Sequence, residues 1–179
     1  MASSTPITCH CNENQALTHW VQTELRSTRH GRKRSLVLYG ASGLGKTIWA
    51  RSLGKHAYFT TPFRVGDLNT KSVQYAVFDR IKGGFYKGIP NWRFWFGCKD
   101  EIAVSDPWKP KRVIEWGKVC ILVCEDDPRV GMKQVDVDYL SVNCVFVEVE
   151  DYVAHGVDEE GRVVIEEGMS AYGYCKFMA

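Results

Sequence analysis

Eight consecutive residues, Gly40-Ala41-Ser42-Gly43-Leu44-Gly45-Lys46-Thr47, have the types and spacing that hold a triphosphate. They fit G-x-x-x-x-G-K-[ST]. The three glycines let the backbone turn tightly and approach phosphate oxygens, so that amides from about Ser42 to Thr47 converge on them. A helix starting at the end of the octet adds the partial positive charge of its N-terminus. In that setting Lys46 reaches the β- and γ-phosphates, and the Thr47 hydroxyl takes one coordination position on Mg²⁺. A glycine-rich turn that happens to carry a lysine is the alternative, and the flanking sequence argues against it. Ser35 to Tyr39 is a short apolar run of strand type, and the residues from Thr47 onward read as a helix that Gly54 can close.

A second group of acids belongs with this loop. Asp79 closes the apolar run Tyr75 to Phe78, and a carboxylate there can bond the Thr47 hydroxyl or the water shell of Mg²⁺. Glu125 follows the apolar run Val119 to Cys124. Ligands of parallel α/β sheets gather beyond the carboxyl ends of the strands, where both acids would lie. A strand-end turn former is the plainer reading of Asp79. Farther from the loop, Trp108, Lys109, Lys111 and Arg112 form a basic turn with an indole, the parts of a single-strand nucleic-acid channel. A solvated hairpin tip has the same composition.

The elements that must position these residues follow from periodicity. Leu17, Trp20, Val21 and Leu25 recur at helical steps, with Asn12 or Asn14 as the expected cap. RSTRHGRKR, residues 26–34, is a basic linker, either a nuclear-import signal, a phosphate contact or a solvated loop. His56 to Thr60, Tyr75 to Phe78, Val119 to Cys124 and Cys144 to Val149 read as strands, and Ile102 to Val104 with Arg112 to Glu115 as two arms of a hairpin. A turn at Asp158-Glu159-Glu160-Gly161 and a short strand, Arg162 to Ile165, are expected near the end. The expected architecture is an α/β P-loop NTPase with a central, mostly parallel sheet and a small β-hairpin insertion. It divides into residues 1–34 (helix and linker), 35–151 (ATPase domain) and 152–179 (a β appendage).

The whole chain of 179 residues, 45% apolar and 25% charged, can bury one sizeable core. A net charge of +2 makes any basic surface local. Seven cysteines, an odd number partly placed in apolar runs, and an N-terminal stretch without a basic start or apolar core predict a reducing, intracellular setting. Cys9-His10-Cys11 has poor zinc spacing, and a loose polar N-terminus is the expectation there. The longest apolar run is far too short to span a bilayer, so no membrane partner is expected.

Taken in order, SLVLYGASGLGKTIWARSLGKHAYF, YAVFD, VIEWGK, CEDDPR and NCVFVEVED resemble the ATPase half of the replication-initiator protein (Rep) of genomoviruses, circular single-stranded DNA viruses related to geminiviruses. The resemblance runs from about Thr18 to Asp151 and implies an AAA+-like superfamily 3 helicase. Such a protein is an Mg²⁺-dependent ATPase that forms a hexameric ring and translocates on single-stranded DNA during rolling-circle replication in the host nucleus. ATP and Mg²⁺ are the implied cofactors; single-stranded DNA, further copies of the chain and the nickase domain of a longer Rep are the implied partners. The family's Walker A falls on Gly40 to Thr47, its Walker B on Tyr75 to Asp79, and its DNA-contacting hairpin on about Ile102 to Lys118. Lys46, Asp79 and Glu125 become the expected catalytic residues.

Three departures stand out. Asp79 is followed by Arg80 where the family has a second acid. Glu125 occupies the place of a polar sensor asparagine, and no His-x-His or Tyr-x-x-Lys nickase motif is present. The first two fall on hydrolysis, where loss of one such group costs about 10²-fold or more. The charge reversal suggests that Arg80 and Glu125 pair across the site. The competing function is therefore a degenerate ATPase that binds ATP as an oligomerisation switch and holds single-stranded DNA without unwinding it. A small-molecule P-loop kinase is the third reading. Arg93, Arg112 and Arg129 are the candidates for an arginine finger.

Overall fold

The computed structural model describes residues 11–28, 31–66, 68–106, 109–153, 156–157 and 163–164. Five strands form one sheet: β1 (Ser35–Tyr39), β2 (His56–Phe59), β3 (Tyr75–Asp79), β6 (Cys120–Val123) and β7 (Cys144–Glu148). Their order is β2-β3-β6-β1-β7, and every pairing is parallel. Such a sheet must be covered on both faces, which explains the uninterrupted apolar runs of its central strands. The fold is α/β and compatible with a P-loop NTPase.

Alternation along the strands divides the core in two. Leu36, Leu38, Tyr75, Val77, Ile121 and Val123 face α1 (Cys11–Trp20) and α2 (Lys46–Ser52), which contribute Leu17, Trp20, Trp49 and Ala50. Val37, Phe59, Ala76, Phe78, Cys120 and Leu122 face the opposite layer, built from α3 (Trp92–Phe96), the hairpin of β4 (Glu101–Val104) and β5 (Arg112–Glu115), and α4 (Gln134–Asn143). Trp95 is fully buried at the centre of this layer, with its ring centroid 5.5 Å from Phe59, 5.6 Å from Phe78 and 4.9 Å from Trp116. Edge-on aromatic contacts of this kind add to the area they bury. The clustered Trp92, Phe94, Trp95 and Phe96 thus form a helix that roofs the sheet.

The expected hairpin is present, with Glu101 opposite Glu115 and Val104 opposite Arg112 in antiparallel register. Two further strands, β8 (Gly156–Val157) and β9 (Val163–Val164), pair antiparallel. The expected Asp158–Gly161 turn and the Cys9-His10 pair lie outside the described residues, as do Arg162 and Ile165. One expectation is corrected. The first helix already includes Asn12 and Asn14, so neither caps it; it starts at Cys11 and continues as a π-helical turn over Val21–Leu25. The apolar stripe set the helix's existence but carried no signal for its first residue. No helix of the described residues is long and apolar enough to cross a membrane.

Candidate functional site

The loop from Gly40 to Thr47 joins β1 to α2 at the carboxyl end of the sheet, and its glycines are required by what lies against them. A side chain at Gly40 would place its Cβ 2.2 Å from the Val149 carbonyl oxygen. At Gly45, where φ is +77°, it would meet the Tyr152 ring and the Val153 carbonyl at 3.1 Å. The segment after β7 is therefore laid directly on the loop, and the Val153 amide donates to the Leu44 carbonyl at 3.0 Å. From the other side, the Gly40 amide donates to the Glu125 carbonyl at 2.9 Å. The loop is held in place by both strands that flank β1.

Behind the loop, α2 is anchored by Trp49, which is fully buried, and by Tyr75, whose hydroxyl donates to the Ala50 carbonyl at 2.7 Å. Burying a side chain of that size is worth roughly 1.5–3 kcal/mol. This anchorage fixes the first turn of α2, where Lys46 and Thr47 stand. The Lys46 ammonium is buried and donates to the carbonyls of Gly40 and Ala41, both at 2.6 Å. Burial pushes its pKa down, against the opposing pull of Glu125 and Asp79 nearby. Two carbonyl partners satisfy the charge while leaving it at the loop.

The Thr47 hydroxyl donates to Asp79 Oδ2 at 3.1 Å. This is the arrangement expected from a hydroxyl and a carboxylate that share a cation shell. Asp79 is 3% exposed at the end of β3. Its Oδ2 also accepts from the Tyr58 hydroxyl at 2.7 Å, a partner that sequence reasoning missed. Only the alternation in His-Ala-Tyr-Phe, which turns Tyr58 toward the α2 face while Ala57 and Phe59 enter the opposite core, could have pointed to it. Burial and the bond to Asp79 raise the Tyr58 pKa, so the phenol stays protonated and donates.

Glu125, just beyond β6, accepts a hydrogen bond from the Ser42 hydroxyl at 2.9 Å. This corrects the expected pairing with Arg80. Strands β3 and β6 are neighbours, but Arg80 has φ +52° and is exposed, and no ion pair joins it to Glu125 among the described residues. Arg80 and Glu125 share a cavity wall without pairing, and the Ser42 hydroxyl is Glu125's side-chain partner instead. Ser42 to Ile48, Asp79, Arg80, Cys124, Glu125 and Tyr152 are among the residues that line one open cavity of about 800 Å³. That volume falls within the range of small-molecule sites. Cys124 lies beside Lys46, and burial pushes its thiol up to about 12.

The basic turn lies apart from this cavity. Asp106 accepts from the amides of Val65 and Gly66 at 2.6 and 2.9 Å, and the Arg112 guanidinium donates to the Gly66 carbonyl. Arg112 thus fastens the hairpin to the loop after β2. Lys109 and Lys111 are exposed, and Trp108 lies outside the described residues. The other two finger candidates also have partners within the chain. Arg93 pairs with Asp136, and Arg129 grips Asp127 at 2.6 Å while lying 4.1 Å from the Phe146 ring centroid. Among the described residues no cluster of three or more His, Cys, Asp or Glu could hold a metal by itself. A cation beside Thr47 and Asp79 would need phosphate oxygens and waters to complete its shell, which is the usual habit of Mg²⁺ with nucleotides.

No family model matches the chain. Among curated proteins it is similar to the Replication-associated protein of Tobacco yellow dwarf virus (strain Australia), with 36% identity over 115 residues, 62% of this chain and 32% of that protein. The Replication-associated protein of Bean yellow dwarf virus is 32% identical over 141 residues, 75% of this chain and 40% of that protein. That of Maize streak virus genotype C (isolate Set) is 27% identical over 136 residues, 74% and 37% respectively. The chain therefore matches between about a third and two fifths of the length of each of these viral proteins.

Proposed function

We propose that the chain is the ATP-hydrolysing, DNA-translocating unit of a viral replication protein. The observation that carries this reading is the joint placement of Lys46, Thr47 and Asp79 at the glycine loop: a buried ammonium, and a hydroxyl bonded to a buried carboxylate, on the wall of one cavity. Similarity to viral Replication-associated proteins supports a role in viral DNA replication. In this reading the loop amides and Lys46 bind the β- and γ-phosphates, and Thr47 with Asp79 holds Mg²⁺, which neutralises charge developing on the phosphoryl oxygens. Glu125, bonded to Ser42 of the loop, orients the attacking water and accepts its proton in this reading. Lys109 and Lys111 track the phosphates of a single strand, several copies of the chain assemble around it, and the host nucleus is the place of action.

The test is steady-state ATPase activity with Mg²⁺, with and without single-stranded DNA, for the native chain, Lys46→Ala and the pair Lys109→Ala/Lys111→Ala. The expected result is turnover stimulated by DNA, abolished by Lys46→Ala. The lysine pair should weaken DNA binding at all sequences and lower its salt slope by about 0.7 for each phosphate no longer neutralised. Tight ATP binding without turnover would replace this reading with the nucleotide-switch function. That second reading is favoured by one observation: Arg80 follows Asp79, leaving Glu125 as the acid available beside the loop, and its carboxylate is already engaged by Ser42. Phosphoryl transfer to an added metabolite would instead indicate a small-molecule kinase.

A further inference from the structure

Tyr58 is on β2, the edge strand beside β3, yet its hydroxyl reaches the same carboxylate oxygen as Thr47. Two donors from different elements thus converge on Asp79 Oδ2, at 2.7 Å from the phenol and 3.1 Å from the threonine. The Tyr58 ring is itself held. Arg51, four residues after Thr47 and so on the same side of α2, places its guanidinium carbon 4.3 Å from the ring centroid. Asp79 Oδ1 takes no hydrogen bond from the described residues, and Asp79 lines the cavity.

We propose that Tyr58 is a positioning residue for the divalent cation of this site. It fixes the Asp79 carboxylate so that Oδ1 faces the cation's water shell while Oδ2 remains bonded to Tyr58 and Thr47. This rests on the nucleotide-binding reading above. The chemistry is consistent at each atom. A threonine hydroxyl that gives a lone pair to a cation keeps its proton for Oδ2. A carboxylate torsion is otherwise broad, so one donor leaves the free oxygen's direction loose and a second fixes it. Outer partners of this kind commonly change metal affinity by 10–100-fold when removed. A tyrosine that only braced the edge strand against α2 would influence folding stability and leave the cation untouched.

The experiment uses the whole chain and N-methylanthraniloyl-ATP fluorescence, titrating Mg²⁺ at fixed nucleotide and repeating nucleotide binding in EDTA. Tyr58→Phe removes one oxygen from a ring that is 37% exposed, so the packing survives. The expected result is an increase of about tenfold in the Mg²⁺ concentration for half-saturation, with Mg²⁺-free nucleotide affinity unchanged. Because Tyr58 acts through Asp79, adding Tyr58→Phe to Asp79→Asn should produce no further shift. An unchanged half-saturation in Tyr58→Phe, or a full additional shift in the Asp79→Asn background, overturns the role given to Tyr58. Native protein that binds nucleotide in EDTA but gains no affinity with Mg²⁺ would overturn this inference alone, and native protein that binds no nucleotide under either condition would overturn the nucleotide reading with it.

Discussion

Glu125 sits where two constraints meet. Its backbone carbonyl receives the Gly40 amide and its carboxylate receives the Ser42 hydroxyl, so both ends of the residue are tied to the glycine loop. Arg80 and Glu125 line the same cavity without forming an ion pair, and no second acid follows Asp79, so in the proposed reaction Glu125 is the acid left to act as base. Glu125→Gln keeps the shape and the bond from Ser42 but removes the base. Turnover should fall by about 10²-fold while nucleotide affinity is retained. Single-turnover kinetics beside equilibrium binding checks this, and a variant that hydrolyses ATP at the native rate would remove Glu125 from the reaction. Charge balance and the sheet order that the Rep resemblance implies suggest an Arg80–Glu125 pair, but a short polar residue of the glycine loop, Ser42, is the partner, and nothing in the charge pattern marks it.

Among the elements, β1, β3 and β6 were legible because parallel strands buried on both faces must be apolar throughout, and the edge strand β7 because Val145 and Val147 alternate with Phe146 and Glu148. The octet after β1 then fixed which end of the sheet holds the site. Helix α4 was not legible. In Gln134–Asn143 the order Val135-Asp136-Val137-Asp138 alternates like a strand, and Val135 and Val142 remain exposed. Leu140 enters the core, and the rest of what seats α4 is polar and long-range: Asp136 receives the Arg93 guanidinium and, at 2.5 Å, the Tyr86 hydroxyl, and Tyr139 donates to the Arg93 carbonyl at 2.6 Å. Periodicity carries no trace of partners more than forty residues away. The same limit hid the strap formed by residues 149–153 over the loop. Because Val149 O lies 2.2 Å from where a Cβ would stand on Gly40, and φ there is +140°, Gly40→Ala must separate β7's trailing segment from the loop. The strained backbone alone costs about 1–3 kcal/mol. Urea unfolding should show a loss of at least that order, together with abolished nucleotide binding. Native-like values for both would mean that the strap does not bear on the loop.

At the scale of the whole molecule, burial holds four described thiols and the Tyr75 phenol in their protonated forms. It raises Cys120 and Cys144 far above the ordinary thiol range, pushes Cys124 up to about 12, and also raises Cys98 and Tyr75, the anchor of α2. In the unfolded chain these thiols lose their protons near pH 8.5 and the phenol near pH 10. Above about pH 8.5 the unfolded state therefore binds fewer protons than the folded one, so the slope of unfolding free energy with pH is negative. Stability is fully present below that pH and is lost as pH rises toward the folded values. Each thiol removes about 2 kcal/mol between pH 8 and pH 10, and domains of this size hold only about 5–15 kcal/mol in total. The urea midpoint should be level between pH 7 and 8 and fall steeply by pH 10. The double substitution Cys120→Val/Cys144→Val should flatten that fall by about 4 kcal/mol, two thiols at about 2 kcal/mol each. A midpoint that stays level to pH 10 in the native chain would mean these thiols ionise as readily folded as unfolded, and would overturn the claim that burial holds them protonated.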